Sequence, residues 1–134
     1  MTRFVVDASA VLEIARKGRT VRSEHELFAP TLLRSQTLSG LHEAVQRGEM
    51  TPEEGRDLLP RVGPPGLKIR LLGDAVLRQT AWDVASHFGW TTTYDAEYIA
   101  LTQLQADAFV TLDHRLARSA NGLVTVATID DVAR

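Results

Sequence analysis

The stretch from Thr91 to Leu116 constrains the fold most, because it pairs two predicted helices with an aspartate at the start of each. Apolar residues recur at helical spacing after Asp95 with no Pro or Gly among them, which predicts a helix opened by that residue. The β-branched and aromatic run that follows predicts a strand over Ala108 to Leu112. Asp113 comes directly after this strand, at the position that caps a second helix.

The start of the chain repeats this plan. Arg3 to Ala15 begins with an apolar strand that ends at Asp7, and a helix runs on from Ala8. In a parallel sheet the carboxyl ends of the strands lie at one edge, where open α/β folds bind their ligands. We therefore expect the carboxylates of Asp7, Asp95 and Asp113 to meet at that edge.

Apolar strands and amphipathic helices alternate through the rest of the chain. Strands are predicted at Glu26 to Ala29, Leu67 to Leu72 and Leu123 to Thr128, and helices at Thr31 to Gln46, Thr51 to Arg61 and Asp74 to Phe88. Gly63 to Gly66 is predicted to be a loop, and Ile129 to Arg134 a frayed tail. The alternation predicts one α/β domain over residues 1–134, with a mostly parallel central sheet flanked by helices.

Composition excludes several classes of protein. The net charge of −2 argues against binding nucleic acid through overall positive charge, although a local basic rim stays possible. The chain has no cysteine, so neither disulfides nor thiolate chemistry contribute. No apolar run approaches the length of a bilayer span, so we expect a cytoplasmic protein with no membrane segment.

The three aspartates have two open interpretations. Each could be only a helix cap, a contribution of about 1 kcal/mol. Together at one edge they would repel one another unless they shared a cation. Oxygen ligands with no Cys or paired His favour Mg²⁺, or Mn²⁺, over zinc.

Four segments of the chain resemble the PIN domain, and most closely the VapC-type toxins of prokaryotic toxin–antitoxin pairs. They are VVDASAVLEIA (Val5 to Ala15), APTLLRSQTLSGL (Ala29 to Leu41), TYDAEYIALTQLQAD (Thr93 to Asp107) and FVTLDHRLA (Phe109 to Ala117). The resemblance covers nearly the whole chain. It implies a PIN-like fold and a metal-dependent endoribonuclease, in which acidic residues hold one or two Mg²⁺ or Mn²⁺ ions that activate a water for attack on an RNA phosphodiester.

The resemblance also assigns residues. Asp7, Asp95 and Asp113 match the first, third and fourth carboxylates of the family and are the expected catalytic metal ligands. Ser9 and Thr111 match positions that support the carboxylates or a water at the metal. Without the resemblance, Ser9 reads equally well as a first-turn hydroxyl and Thr111 as a strand residue.

Gln36 is where the sequence departs from the family pattern. The second family carboxylate is usually a Glu in the helix after a Pro, and aligning Pro30 and Leu32 places Gln36 there. Gln keeps a carbonyl oxygen but lacks the charge, so we expect weaker metal binding and fewer ions. Glu43 lies two turns further on, about 10 Å of rise away. We expect a three-carboxylate site with Gln36 as a weak or water-mediated contact.

Cations near the acidic edge are the candidates for contacts with RNA phosphates. Those close to it in sequence are Arg16, Lys17, Arg19, Arg115 and Arg118. A solvated surface would present the same residues. Aromatic side chains could stack on bases, but helical spacing predicts core packing for Tyr98 and Trp82.

Partners are implied by the resemblance alone. VapC-type toxins form homodimers and are neutralised by a small VapB-like antitoxin. We expect the antitoxin's C-terminal segment to lie across the helical hairpin Thr31 to Arg61 and to place a basic side chain in the acidic site.

Two other functions stay open. Gln36 is also compatible with a catalytically weakened or inactive PIN domain that only binds RNA or an antitoxin. A Mg²⁺-dependent phosphatase is the third possibility, but Asp7 is followed by Ala8 and Ser9 and so lacks the second Asp of a D-x-D pair.

Overall fold

The computed structural model describes residues 1–63 and 66–134, so Pro64 and Pro65 of the predicted Gly63 to Gly66 loop lie outside the described residues. The strands are β1 (Thr2–Val6), β2 (His25–Pro30), β3 (Ile69–Leu72), β4 (Ala108–Val110) and β5 (Val126–Ala127). The helices are α1 (Ala8–Arg16), α2 (Leu33–Gln46), α3 (Pro52–Leu58), α4 (Ala75–Phe88), α5 (Tyr94–Gln105), α6 (His114–Ala120) and α7 (Ile129–Val132), with a 3-10 turn at Leu59–Arg61. None of the helices in the described ranges is long and apolar enough to cross a membrane.

The strands form one sheet in the order β3-β2-β1-β4-β5, and every neighbouring pair in it is parallel. This confirms the predicted parallel α/β fold. The chain builds β2 and β3 on one side of β1 and returns to add β4 and β5 on the other. The gap between the carboxyl ends of β1 and β4 is therefore the point where the strand order reverses, the usual ligand position in such sheets.

The core lies between the central strands and α5, which packs across β1, β2 and β4. Ile99 and Leu101 of α5 are buried, as are Val5 of β1 and Phe109 of β4. Burying side chains of this size contributes about 1.5–3 kcal/mol each. This packing holds the start of α5 against the carboxyl ends of β1 and β4.

Helix caps set the starting points of several helices. Asp7, Asp74 and Asp113 each accept a backbone N–H of the first turn that follows, as predicted. The prediction for Asp95 was wrong in detail, because α5 begins one residue earlier and Asp95 lies in its first turn. The strand before Asp113 ends at Val110 and not at Leu112, because the chain turns there.

The predicted frayed tail from Ile129 to Arg134 is wrong. Thr128 and Asp131 form a capping box that starts α7, and Val132 is buried. The guanidinium of Arg22 donates to the carbonyl oxygen of Asp130 at 3.0 Å. The end of the chain is thus folded onto the segment that leads into β2.

Trp82 does not pack in the core as predicted, since it is 69% exposed. The buried face of α4 is formed by Leu77, Ala81, Val84 and Ala85, and Trp82 lies outside that stripe. For Tyr98 the prediction is confirmed, because its side chain is 1% exposed.

Candidate active site

Asp7 stands at the junction of β1, β4 and α1. Its backbone N–H donates to the carbonyl oxygen of Val110 at 3.3 Å, which joins the ends of the two strands. Its Oδ1 accepts the N–H of Ala10 at 3.0 Å and so caps α1. The residue is only 8% exposed. A nearly buried carboxylate therefore lies where the strand order reverses.

Two hydroxyl groups hold both oxygens of Asp7. Ser9 Oγ donates to Oδ1 at 2.6 Å, and Thr111 Oγ1 donates to Oδ2. The same hydroxyl oxygens accept backbone N–H groups, of Leu112 at 2.9 Å for Ser9 and of Asp113 at 3.1 Å for Thr111. Ser9 and Thr111 thus fix the Asp7 side chain and fasten the segment after β4 to it.

Asp95 lies in the first turn of α5 and lines the same cavity as Asp7. Its side chain is exposed and makes no hydrogen bond to another described residue. Loss of part of its hydration raises the pKa of the Asp95 carboxyl, and the negative charges of Asp113 and Asp7 raise it further. Its oxygens are therefore available to a ligand and lie in a negative field.

Asp113 caps α6, with Oδ1 accepting the N–H groups of Arg115 at 3.0 Å and Leu116 at 3.1 Å. It is exposed, and its charge reaches both other aspartates. Burial raises the pKa of Asp7; hydrogen bonds from Ser9, Thr111 and Ala10 oppose the rise, and the charge of Asp113 adds to it. Of the three carboxylates that the sequence predicted to meet, Asp7 and Asp95 line one cavity, whereas Asp113 is not among its lining residues and acts on the other two through its charge.

The oxygens of Asp7, Asp95 and Asp113 suit a hard divalent cation. Zinc sites generally use Cys or several His, and the chain has no Cys. Among the described residues no three acidic or His side chains already converge as a ready-made metal-binding group. Asp7 is fixed by its hydrogen bonds and Asp113 by its cap of α6, so Asp95 is the side chain that is free to turn toward an ion. The donor set fits such an ion because a shared positive charge would offset the negative charges that raise the pKa of Asp7 and of Asp95.

Gln36 and Tyr98 line the same cavity, which has a volume of about 420 Å³. The Tyr98 hydroxyl donates to Oε1 of Gln36 at 2.5 Å. Burial raises the pKa of the Tyr98 hydroxyl far above its ordinary value, and Asp7, Glu97 and Asp95 add to the rise. Sequence reasoning assigned Tyr98 to the core and missed this contact. The available signal was its place three residues after Asp95, on the same face of one helix.

Arg16 lines this cavity too, at the end of α1 away from Asp7. Arg47, which the sequence did not single out, lines it beside Glu49. Glu49 accepts from Nε of Arg47 at 2.8 Å and lies 3.6 Å from Nη1 of Arg16. Glu43, the alternative to Gln36, lines the cavity as well, but its side chain is not among the charges that shift the pKa of Asp7 or Asp95.

The other predicted RNA-binding cations have different surroundings. Lys17 forms an ion pair with Glu13 at 2.6 Å. Arg19 donates to Asp130 at 2.5 Å and to the carbonyl oxygen of Ala133 at 2.9 Å, so its side chain holds the C-terminal segment. Arg115 and Arg118 are exposed on α6, the helix that begins at Asp113.

Named relatives align with most of this chain, although no family model matches it. Ribonuclease VapC9 of Mycobacterium tuberculosis is 30% identical over 117 residues, which span 85% of this chain and 88% of the relative. The chain belongs to the VapC ribonuclease family. Ribonuclease VapC3 of Pyrobaculum aerophilum, a second relative in the VapC family, is 27% identical over 130 residues, 92% of this chain and 98% of its own.

A solved structure supports the fold of this VapC-family chain. The crystal structure of PAE2754 from Pyrobaculum aerophilum superimposes with a TM-score of 0.70 at 21% identity. The match covers 97% of this chain and 92% of that one. The likeness therefore extends over the whole domain, and the PIN-like fold that the sequence motifs predicted is confirmed.

Proposed function

We propose that this chain is the toxin of a VapBC-type toxin–antitoxin pair, an endoribonuclease that hydrolyses RNA phosphodiester bonds with the help of Mg²⁺ or Mn²⁺. Membership of the VapC ribonuclease family supports RNA cleavage. The observation that supports the metal dependence is the placement of Asp7 and Asp95 in one cavity at the reversal of strand order, with Asp113 near enough for its charge to raise the pKa of both.

Asp7, Asp95 and Asp113 are the proposed ligands of the cation. When bound, a divalent cation would make a water a stronger nucleophile near neutral pH and offset the negative charge of the transition state. Asp7 supplies a rigid carboxylate because both of its oxygens are held. The hydrogen bonds from Ser9 and Thr111 also favour its ionised form, which is the form that binds a cation.

Contacts with the RNA backbone are proposed for cations around the acidic site. Arg115 and Arg118 are placed on the helix that Asp113 begins, and Arg16 lies in the cavity that Asp7 and Asp95 line. Guanidinium groups match phosphate oxygens in charge and geometry. Lys17 and Arg19 belong to the proposed set as well, but each already has an acidic partner within the chain.

Cleavage of a structured RNA pool by the purified chain tests the proposal. We expect cuts in Mg²⁺ or Mn²⁺ and none in EDTA. Asp95→Asn is the preferred variant, because Asp95 is exposed and its side chain has no hydrogen bond to other described residues that the change would break. It should lower the cleavage rate by at least about 100-fold, beyond the effect of losing a residue that merely supports a ligand.

Asp83→Asn is the matched control. Asp83 is an exposed aspartate on α4 that lines a different surface cavity, beside Trp82. Its replacement should leave cleavage unchanged. Equal rates for wild type and Asp95→Asn in every metal would reject the proposed site.

A module that binds RNA or an antitoxin without cutting is the second candidate. Gln36 favours this candidate. Its Oε1 is the oxygen that would contact the ion in place of the family Glu, and that oxygen already accepts a hydrogen bond from the hydroxyl of Tyr98. The same assay separates the two. RNA binding with no cuts at any Mn²⁺ concentration, and with the same affinity in Asp113→Asn, would support the binding module.

We infer that a small VapB-like antitoxin covers an apolar cavity of about 450 Å³ beside the helical hairpin Thr31 to Arg61. Its apolar lining is Leu33, Leu38, Leu59, Val62, Ile69 and Leu71. Leu38 is exposed at its rim, so Leu38→Glu should weaken antitoxin binding and leave the melting temperature unchanged. Calorimetry with an antitoxin peptide measures the first, and a thermal melt the second.

A homodimer is proposed from the family. Trp82 and Val76, which α4 exposes to solvent, are the apolar side chains that a second copy would cover. Trp82→Glu should then shift the sedimentation coefficient from that of a dimer to that of a monomer. A wild-type chain that sediments as a monomer would refute the dimer.

A further inference from the structure

Gln36 and Tyr98 join α2 to α5 at the cavity that Asp7 and Asp95 line. Tyr98 is held by burial in the core, whereas Gln36 is half-buried at the cavity wall. The hydroxyl carries its single proton at neutral pH, since free tyrosine titrates near pH ~10. A buried phenol that donates at 2.5 Å therefore acts as a fixed anchor for the Gln36 amide.

The anchor determines which end of the amide meets the cavity. A glutamine amide has one acceptor oxygen and two N–H donors. Because Oε1 faces the phenol, Nε2 is the atom turned away from it. The reverse orientation would turn Oε1 toward the cavity that Asp7 and Asp95 line, where their negative charges are unfavourable for its lone pairs.

The Nε2 donors are free for a ligand. Nε2 makes no hydrogen bond to any residue within the described parts of the chain. N–H donors repel a cation and attract an anionic oxygen. The oxygens of an RNA phosphodiester carry the matching charge.

We propose that Gln36 is a substrate-binding residue, whose amide donates to a phosphate oxygen of RNA, and that Tyr98 is the positioning residue that orients the amide. The proposal rests on the ribonuclease function proposed above. It differs from the expectation that Gln36 is a weak or water-mediated metal contact, because here Gln36 contacts the RNA and only the three carboxylates bind the cation.

Two measurements on the whole chain separate these roles. Calorimetry with Mn²⁺ alone gives the metal affinity. Single-turnover cleavage at saturating Mn²⁺, with protein concentration varied, gives the half-saturating concentration for RNA apart from the maximal rate.

Gln36→Ala should raise the half-saturating concentration about tenfold, the effect of losing a hydrogen bond to a charged group. Its Mn²⁺ affinity should stay within about twofold of wild type, since the proposal removes no metal ligand. Gln36→Glu should bind Mn²⁺ more tightly, because it adds a fourth carboxylate, yet its half-saturating RNA concentration should stay above that of wild type, because a carboxylate has no N–H to donate to phosphate.

Tyr98→Phe tests the positioning role. It keeps the buried ring and removes only the hydroxyl, so the amide loses its orientation. The half-saturating RNA concentration should rise about threefold with unchanged Mn²⁺ affinity, a smaller loss than for Gln36→Ala because the amide itself remains. Gln103→Ala, which alters an exposed glutamine on α5, is the control and should change neither quantity.

The possible results are distinct. A Gln36→Ala variant with weakened Mn²⁺ binding and an unchanged half-saturating RNA concentration makes Gln36 a metal ligand and overturns this inference alone. Wild type that cleaves no RNA overturns both this inference and the proposed function. Unchanged values in Gln36→Ala for both quantities overturn the inference and leave the ribonuclease standing.

Discussion

Thr111 ties the buried carboxylate of Asp7 to the segment after β4, and Thr111→Val removes that tie while nearly preserving the side chain's shape. Two hydrogen bonds disappear: the one donated to Oδ2 of Asp7 and the one accepted from the N–H of Asp113. The first bond is to an ionised group in a buried place, so its loss leaves a charge poorly solvated. We expect the variant to fold and to be clearly destabilised.

The size of the loss follows from the two bonds. A hydrogen bond to a charged group contributes about 1.5–3 kcal/mol and a neutral one about 1 kcal/mol. The expected decrease in the free energy of unfolding is therefore about 2.5–4 kcal/mol near neutral pH. For a chain of 134 residues each kcal/mol lowers the melting temperature by roughly 3–5 °C.

Thr102→Val is the matched control. Thr102 is also a buried threonine, and its hydroxyl donates to the backbone carbonyl oxygen of Tyr98 at 2.8 Å, a neutral acceptor. Its replacement should cost about 1 kcal/mol, and the cost should not change with pH.

The pH dependence distinguishes the charged bond from a neutral one. Donation from Thr111 favours ionised Asp7 and lowers its pKa, so the pKa of Asp7 in Thr111→Val is higher than in wild type. The part of the lost unfolding free energy that comes from the charge of Asp7 is fully present at a pH above both pKa values. It disappears as the pH falls below both, because Asp7 is then neutral in each protein. At low pH the difference between the two threonine variants should therefore shrink to about 1 kcal/mol, because Thr111→Val then loses two neutral hydrogen bonds and Thr102→Val loses one.

Urea unfolding in EDTA, at a series of pH values from about 8 down to about 4, measures both variants against wild type. EDTA keeps bound cations from adding to stability. Equal losses for Thr111→Val and Thr102→Val at the alkaline end, or a difference between them that is as large at the acidic end as at the alkaline end, would refute the reasoning.

Three further outcomes follow from other contacts. Asp113→Asn should raise the free energy of unfolding in EDTA at about pH 8 by roughly 0.5 kcal/mol, because Asn still caps α6 while a repulsive charge is gone; urea unfolding measures this. Arg19→Ala should lower the melting temperature by several degrees, because its hydrogen bonds to the C-terminal segment are lost. Arg118→Ala should leave the melting temperature unchanged and weaken RNA binding, which an anisotropy titration measures. Gly89→Ala should destabilise the chain by about 1 kcal/mol in urea, because Gly89 has a positive φ of 69° where a side chain is strained.

Each of these outcomes has a result that would contradict it. A less stable Asp113→Asn in EDTA would mean that the carboxylate is worth more as a cap than it costs in repulsion. Weaker RNA binding in Arg19→Ala with an unchanged melt would place Arg19 on RNA and not on the C-terminal segment. An unchanged free energy of unfolding in Gly89→Ala would show that the end of α4 accommodates the side chain without strain.

The overall fold could be predicted because local sequence carries it. Asp7, Asp74 and Asp113 follow or precede apolar runs at cap positions, and those local bonds form as expected. The parallel sheet follows from the alternation of strands and helices. The placement of Asp7 and Asp113 just beyond the ends of β1 and β4, at one edge of the sheet, then follows from the rule that parallel strands end at one edge.

The missed features depend on contacts between distant residues. The C-terminal helix is only four residues long, too short to show a period, and it is held by Arg19 and Arg22 from over a hundred residues away. The bond between Tyr98 and Gln36 spans 62 positions and joins two helices whose packing no single segment reveals. Helical spacing alone predicted that Trp82 packs in the core, but the residue lies just outside the buried stripe of α4 and is exposed to solvent.

The most direct measurement compares Mn²⁺ binding with Mn²⁺-dependent cleavage in wild type, Asp95→Asn and Asp83→Asn. Calorimetry gives the midpoint of ion binding, and a cleavage assay gives the Mn²⁺ concentration at half-maximal rate. If Asp7, Asp95 and Asp113 hold the ion that supports RNA cleavage, the two midpoints coincide and move together to higher Mn²⁺ in Asp95→Asn, while Asp83→Asn behaves as wild type. Cleavage that persists in EDTA, or midpoints that differ in wild type, would contradict the account.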